Sequence, residues 1–335
     1  MMPKSNPIIL AIESSCDDTS AAVLADGIIL SNVIATQVIH EQYGGVVPEV
    51  ASRAHQQNIL PVVSAALSQA KITLHDIDCV AVTSGPGLMG SLLVGVSFAK
   101  SLALALNIPL VDVHHMEAHV LAHFIDDPKP NFPFLNLTVS GGHTQIVLVK
   151  DYLEMEILGS TIDDAAGEAF DKSGKLLGLG YPAGPLIDKF ASLGQDSYTF
   201  PEPRISGLDF SFSGLKTSIL YFIKERQAED PNFIQENIND ICASIQSRII
   251  SILINKLIKA IKLYNIREIG ISGGVSANSG LRRSVTELGD KMNLKVHIPK
   301  FEYCTDNAAM IAIAASFKYK KLEFADQSLT PFTRQ

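Results

Sequence analysis

Apolar positions along the chain fall into two arrangements. Short, nearly uninterrupted runs bounded by small polar residues predict buried strands, as in Ile8-Ile9-Leu10-Ala11-Ile12 and, after a polar loop from Glu13 to Ser20, Ala21-Ala22-Val23-Leu24. The same plan recurs over 134–149, where Phe134 to Val139 leads through Ser140-Gly141-Gly142-His143-Thr144 into Gln145 to Val149. Two hairpins with small polar tips, each opening about half the chain, predict an internal duplication with one lobe per copy and a ligand cleft between them. Longer stretches at helical spacing predict helices over 48–68, 91–106, 234–264 and 307–319, with buried strands at 79–83 and 268–271. The mixture is an α/β fold. Asp126-Asp127-Pro128-Lys129-Pro130, charged and proline-rich, predicts the linker between the halves.

Composition narrows this reading. A chain of 335 residues with 47% hydrophobic positions can build two cores. Cys16, Cys79, Cys242 and Cys304 are scattered without a C-x-x-C pair, which fits reduced thiols in a cytoplasm better than a disulfide framework. The first apolar run soon meets Glu13 and Asp17, unlike the long core of a signal peptide. Lys100 interrupts the apolar stretch from Leu92 to Leu106, and no segment is expected to span a membrane. A net charge of -8 argues against nucleic-acid binding by bulk charge, so such a substrate would need a partner or a local basic patch. Arg282 with Arg283, and the lysines from Lys256 to Lys262, are the patches available; as solvated helix faces they would need no further role.

The densest set of metal-ligand residue types lies between His114 and His123. His115, His119 and His123 stand four apart, so on a helix they share one face and either adjacent pair could grip an ion. A third ligand must come from elsewhere, and Asp306, in the turn before the last helix, is a candidate. His115-Met116-Glu117-Ala118-His119 differs from the zinc-protease motif H-E-x-x-H by placing its glutamate one position later. That rotates the side chain by about 100° around the axis, out of the general-base position. Gly85-Pro86-Gly87-Leu88-Met89-Gly90 satisfies G-x-G-x-x-G with Asp112 beyond it, but lies well inside the first half. Close packing of a glycine turn competes there with nicotinamide binding. The loops Ser140 to Thr144 and Ser272-Gly273-Gly274-Val275-Ser276-Ala277-Asn278 follow strands and expose backbone N–H groups to a phosphate, base or ribose. With Asp17 and Asp18 on the first hairpin, they resemble the nucleotide cleft of the actin, sugar kinase and heat-shock ATPase superfold. Four acids crowd Asp163 to Asp171, where Asp171 and the turn at Gly184 could meet a polar ligand group.

Taken in order, Glu13 to Thr19, Tyr43 to Glu49, Ser84 to Gly87, His114 to His119, Val139 to Thr144, Asp163 to Lys172, Asp209 to Lys216 and Ser272 to Asn278 resemble the bacterial TsaD (Gcp, YgjD) family nearly end to end. The resemblance implies a two-lobed fold of that superfold, with residues 1–130 and 305–335 in one lobe and 131–304 in the other. It implies transfer of the threonylcarbamoyl group of threonylcarbamoyl-AMP to N6 of the adenosine 3′ of the anticodon in tRNA, with AMP leaving. It further implies one divalent ion, iron or alternatively zinc, on His115, His119 and Asp306. Substrate positions carried over are Thr138, Val139, Ser140, Gly141, Gly142, Asp171, Gly184 and Asn278, with Asp188 weaker. His123 has no counterpart in the pattern. Two positions depart from it: Asp18 stands where glutamate is frequent, and Ala183 replaces a glycine. The implied partners are a TsaB paralogue and the ATPase TsaE, with TsaC making the adenylate. The chemistry needs a polarised acyl oxygen and a held phosphate, and Asp17 could orient or deprotonate the attacking amine. A phosphotransferase or ATPase of the same superfold is the competing enzyme, and an assembly scaffold the non-enzymatic alternative.

Overall fold

The first apolar runs pair as strands buried on both faces: β1 (Ile9–Glu13) and β2 (Thr19–Ala25) lie antiparallel, with Ile9 opposite Leu24 and Glu13 opposite Ser20. β3 (Ile28–Ala35) continues the meander at the sheet edge. It carries Ser31 and Asn32 among its apolar residues and leaves Ile28 and Leu30 exposed, so it lacks the buried-strand signature. α1 (Pro48–Ala70), β4 (Cys79–Gly85), α2 (Met89–Leu106), β5 (Leu110–His114) and the short α3 (His115–Leu121) follow. The sheet order is β3-β2-β1-β4-β5, with β4 and β5 parallel to β1 through helical crossovers. Leu10 and Ile12 share a core with Val62 and Val63 of α1 and with Val96 and Ala99 of α2. The chain's last helix, Ala308–Lys320, packs on β1 and β2.

A second set repeats the scheme. β6 (Phe134–Val139), β7 (Thr144–Asp151) and β8 (Glu154–Ser160) form an antiparallel meander. α4 (Ala166–Leu176), α5 (Ala183–Ala191), α6 (Ser213–Glu229) and α7 (Phe233–Tyr264) precede β9 (Glu268–Ser272). α8 (Ser279–Met292) and β10 (Lys295–His297) close the set, which leaves the last helix as α9. The order β8-β7-β6-β9-β10, with β9 parallel to both β6 and β10, matches the first sheet strand for strand. The computed structural model describes residues 4–334 and divides them into two compact units. One takes the chain up to Lys129 and from Lys300 onward, and the other is Pro130–Pro299.

Two details sharpen the sequence pattern. α2 and α7 are each long and apolar enough to cross a membrane by length and composition, because the few charges within their most apolar stretches do not offset so many aliphatic residues. Each packs one face into the core of its unit: α2 buries Leu92, Gly95, Val96 and Ala99, and α7 buries Ile241, Ile245, Ile249 and Leu253. The G-x-G-x-x-G turn is filled by protein. A Cβ on Gly85 would meet the Phe332 carbonyl at 2.2 Å, and one on Gly87 the Ser15 carbonyl at 2.4 Å. Asp112, the would-be ribose ligand, pairs with Lys318 at 2.9 Å. Tight packing is therefore what these glycines serve.

Glu268, at the start of β9, joins the two ends of the second unit. Its carboxylate accepts the backbone and side-chain N–H groups of Asn131 at 2.9 and 2.8 Å, His297 at 3.0 Å and Lys295 at 3.2 Å. Burial would raise its pKa, but these donors hold it down to about 2. A depressed carboxylate contributes stability that is complete above its ordinary pKa and is lost as pH falls toward 2. Glu268→Ala should cost about 1–3 kcal/mol by stranding these donors. Urea unfolding at neutral pH should show the loss, and acid titration should show the wild type converging on the variant as pH falls.

Candidate functional site

In the first unit β1, β4 and β5 are parallel, so their C-terminal ends share one sheet edge. β5 ends at His114 and α3 begins at His115, which sets His115 and His119 one helical turn apart just beyond that edge. The His114 ring accepts the N–H of Glu117 at 3.4 Å and caps the helix. Asp306 arrives from the far end of the chain. Asn307 caps α9 by accepting Met310 N–H at 3.0 Å, Ala308 N–H donates to the Ser20 hydroxyl at 2.9 Å, and Ala309 N–H donates to the Asn32 side chain at 3.3 Å. These bonds fix the start of α9 against β2 and β3.

The Asp306 Oδ1 atom then lies 3.1 Å from His119 Nε2 and 3.4 Å from His115 Nε2, with the two rings nearly perpendicular at 83°. One ligand atom from each of the three residues falls within 4.8 Å of the others, a set no other group matches among the described residues. His123, on the turn after α3, is outside it. The electrostatics are uneven. Burial works against a charge on His115, but the Asp306 and Glu13 carboxylates outweigh it and raise its pKa well above the usual histidine value. Burial lowers His119, despite its bond to Asp306, and the charge on His115 adds to that effect. Asp306 resists burial because His115 and His119 hold its carboxyl far below the usual range. One neutral imidazole, one imidazole whose proton an ion can displace, and one firmly ionised carboxylate constitute a donor set that fits a divalent transition ion. The three residues thus form a candidate metal centre.

Glu13 was not singled out by the sequence. It accepts from His115 Nδ1 at 3.0 Å and has no exposed surface. Nothing local betrays it, since its partners lie far away along the chain. Asp17 and Asp18 sit half-buried on the β1–β2 turn. Burial, together with the Asp306 and Asp17 charges, pushes Asp18 up to about 7, and its Oδ1 is buried without a partner.

The second unit holds a separate cavity of 260 Å³, lined by Gly141, Asp171, Gly184, Asp188 and Asn278 among others. These five come from four separate segments: the β6–β7 loop, α4, α5 and the start of α8. Thr138 and Val139 are buried in β6, where the Thr138 hydroxyl accepts from Asn136 and Ser272. Ser140 shapes the loop: its hydroxyl accepts His143 N–H at 3.0 Å, and a Cβ on Gly167 would meet its carbonyl at 2.5 Å. Gly141 and Gly142 are exposed, with nothing within 4 Å of where a Cβ would stand.

Each polar side chain of this cavity also caps a helix. Asp171 Oδ1 accepts the N–H groups of Ala183 and Gly184 at 2.8 and 3.3 Å, at the start of α5. Burial raises its pKa against those bonds. Asp188 accepts the N–H and hydroxyl of Ser279 at 2.9 and 2.8 Å. Asn278 accepts Leu281 N–H at 2.9 Å and donates to Gln246 Oε1 at 2.6 Å. Gln246, inside a long amphipathic helix, is a second residue that no motif announced. Two carboxylates with remaining lone pairs beside glycine backbone suit a nucleoside, whose hydroxyls donate and whose flat base can lie on the loop. Ala183, where the resembled family has glycine, fits because its methyl faces Gly174; a Cβ on Gly174 would meet it at 2.2 Å.

Known proteins are similar to this chain over nearly its whole length. Residues 28–313 match the family model described as "TsaD: tRNA N6-adenosine threonylcarbamoyltransferase". The chain is 61% identical over 330 residues to the tRNA N6-adenosine threonylcarbamoyltransferase of Christiangramia forsetii, covering 97% of each chain. It is 60% identical over 331 residues to that of Riemerella anatipestifer, covering 98% of this chain and 97% of the relative. Among solved structures, HypF of T. kodakarensis superposes with a TM-score of 0.61 at 14% identity, over 95% of this chain and 49% of that one, a likeness of fold alone.

Asn278→Ala should remove the α8 cap and leave the Gln246 oxygen without its donor. The expected cost is about 1–2 kcal/mol, read as a lower midpoint in urea unfolding of the full chain.

Proposed function

The chain belongs to the TsaD family of tRNA N6-adenosine threonylcarbamoyltransferases, and from that membership we propose how its own residues carry the transfer. The donor is threonylcarbamoyl-AMP and the acceptor is N6 of the adenosine 3′ of the anticodon in tRNA. The N6–carbamoyl bond forms, the bond from the carbamoyl carbon to the phosphate oxygen breaks, N6 loses a proton, and AMP leaves with the electron pair. The observation that carries the reading is the convergence of His115 and His119 with Asp306, 187 residues beyond His119.

The cavity of the second unit holds the adenylate. Ribose hydroxyls donate to Asp171 and Asp188, the base lies against Gly184 and the Gly274 side with Asn278 at its edge, and the loop from Thr138 to Gly142 offers Gly141 and Gly142 N–H groups to the phosphate. In the first unit His115, His119 and Asp306 would hold one divalent ion, iron as the family resemblance implies or zinc, which the same donors accept. When bound, that ion supplies Lewis acidity for the carbamoyl oxygen. The amine proton passes to the β1–β2 turn, where Asp17 is the assigned acceptor and Asp18, near 7, is the carboxylate beside it. With a net charge of -8, the chain takes its tRNA in the cytoplasm with help from partners. The family resemblance makes these a TsaB paralogue and TsaE, with TsaC upstream.

The test offers tRNA and threonylcarbamoyl-AMP labelled in its threonine to wild type and to His119→Ala. Wild type should place label in tRNA, while the variant should lose bound metal and slow transfer by about 100-fold or more, the scale of several kcal/mol of charge stabilisation. Undiminished transfer by a metal-free variant would sink the metal-assisted mechanism. Robust ATP turnover without tRNA would replace the transferase reading with that of an ATPase.

A further inference from the structure

Removing an ionised carboxylate from water costs several kcal/mol unless its oxygens are matched. Glu13 is fully buried and fully matched. Oε1 accepts the Ser15 N–H; Oε2 accepts the Thr83 hydroxyl and His115 Nδ1, with the Ser15 hydroxyl 3.2 Å from the same ring nitrogen. Thr83 comes from β4 and His115 from the residue directly after β5, so the ends of three parallel strands converge on one side chain. A bond to Nδ1 occupies the far side of the ring and leaves Nε2 facing Asp306 at 3.4 Å. The other histidine has no such support, because His119 Nδ1 is buried without a hydrogen-bond partner.

We propose that Glu13 is the positioning residue of the metal centre: it holds the proton on His115 Nδ1, so that Nε2 is the ligand atom, and it fixes the angle of the ring. Ligating imidazoles gain basicity and orientation from a carboxylate on their second nitrogen, and loss of that carboxylate typically weakens metal affinity about 10- to 100-fold. Thr83 and Ser15 hold Glu13 as Glu13 holds His115. His119 completes the centre as the unsupported ligand. An amide at position 13 cannot accept from all of these donors, and it sets a hydrogen against either Ser15 N–H or His115 Nδ1. The inference rests on reading His115, His119 and Asp306 as ligands, and its test separates the two ideas.

Zn(II) affinity of the full chain is measured by chelator competition for wild type and Glu13→Gln, with AMP binding recorded on the same samples. The expected result is a dissociation constant raised about 10- to 100-fold in Glu13→Gln while AMP affinity, a property of the other unit, is unchanged. Wild-type Zn(II) affinity in Glu13→Gln overturns the positioning role. Failure of wild type to bind Zn(II), Fe(II) or Co(II) overturns the metal reading itself. A second measurement needs only a stable wild type: nitrogen-15 histidine spectra of the Zn(II)-loaded chain, with His115 assigned by the signal lost in His115→Gln. A retained, strongly hydrogen-bonded Nδ1–H with Nε2 on the metal supports the proposal, whereas coordination through Nδ1 overturns it.

Discussion

The first unit is organised around buried charge. Glu13, His115 and Asp306 alternate negative, positive and negative across 3.0 and 3.4 Å, and His119 lies 3.1 Å from the Asp306 end of the row. Such a row persists only where every element that carries it is held, since a displaced strand or helix would leave an uncompensated charge in the core. β1 ends in Glu13, β4 adds the Thr83 hydroxyl, α3 opens with His115 directly after β5, and the turn before α9 brings Asp306. The sheet order is the one that makes these meetings short, because parallel neighbours end on the same edge.

The repeated topology shows how one plan serves two tasks. β1 ends in Glu13 opposite Ser20, whereas its counterpart β6 ends in Val139 opposite Thr144. An acid at the strand end favours a metal centre with a charged row behind it. A valine leaves the next loop free to be glycine-rich, with a backbone that lies open at Gly141 and Gly142. The second unit then uses its carboxylates differently: Asp171 and Asp188 bind helix N-termini and face a cavity at the same time. Helix capping and ligand binding place the same demand on a carboxylate, which is to present lone pairs to fixed donors.

What the sequence disclosed follows from this division. Four-residue spacing revealed a histidine face, but the pair His119–His123 fitted it as well as His115–His119, and only the family resemblance chose between them. Paired glycines marked the loops of the second unit because glycine leaves a local signature. Glu13 left none: as the last residue of an apolar run it reads as the start of a polar loop, and its burial comes from Thr83 and His115, both distant in sequence. Gln246 is hidden for the same reason inside the helical period of α7. β3 escaped notice because edge strands do not need a continuous apolar run. Gly85 and Gly87 left packing and cofactor binding open in the sequence, since close approach to Ser15 and Phe332 requires glycine as firmly as close approach to a phosphate does.

The chain order adds a constraint that no single motif contains. Asp306 belongs to the first unit but follows all of Pro130–Pro299, so that unit lacks its third ligand until the second has been synthesised. The start of α9 must dock on Ser20 and Asn32 before Asp306 can balance His115. Closing so long a loop is entropically slow, although its cost grows only gently with length. An inserted unit that folds by itself shortens the effective loop to the distance between its own ends. Glu268 performs that service by binding Asn131 at one end and His297 at the other. The carboxylate that closes the second unit therefore helps to bring Asp306 to the candidate metal centre of the first, through chain connectivity alone.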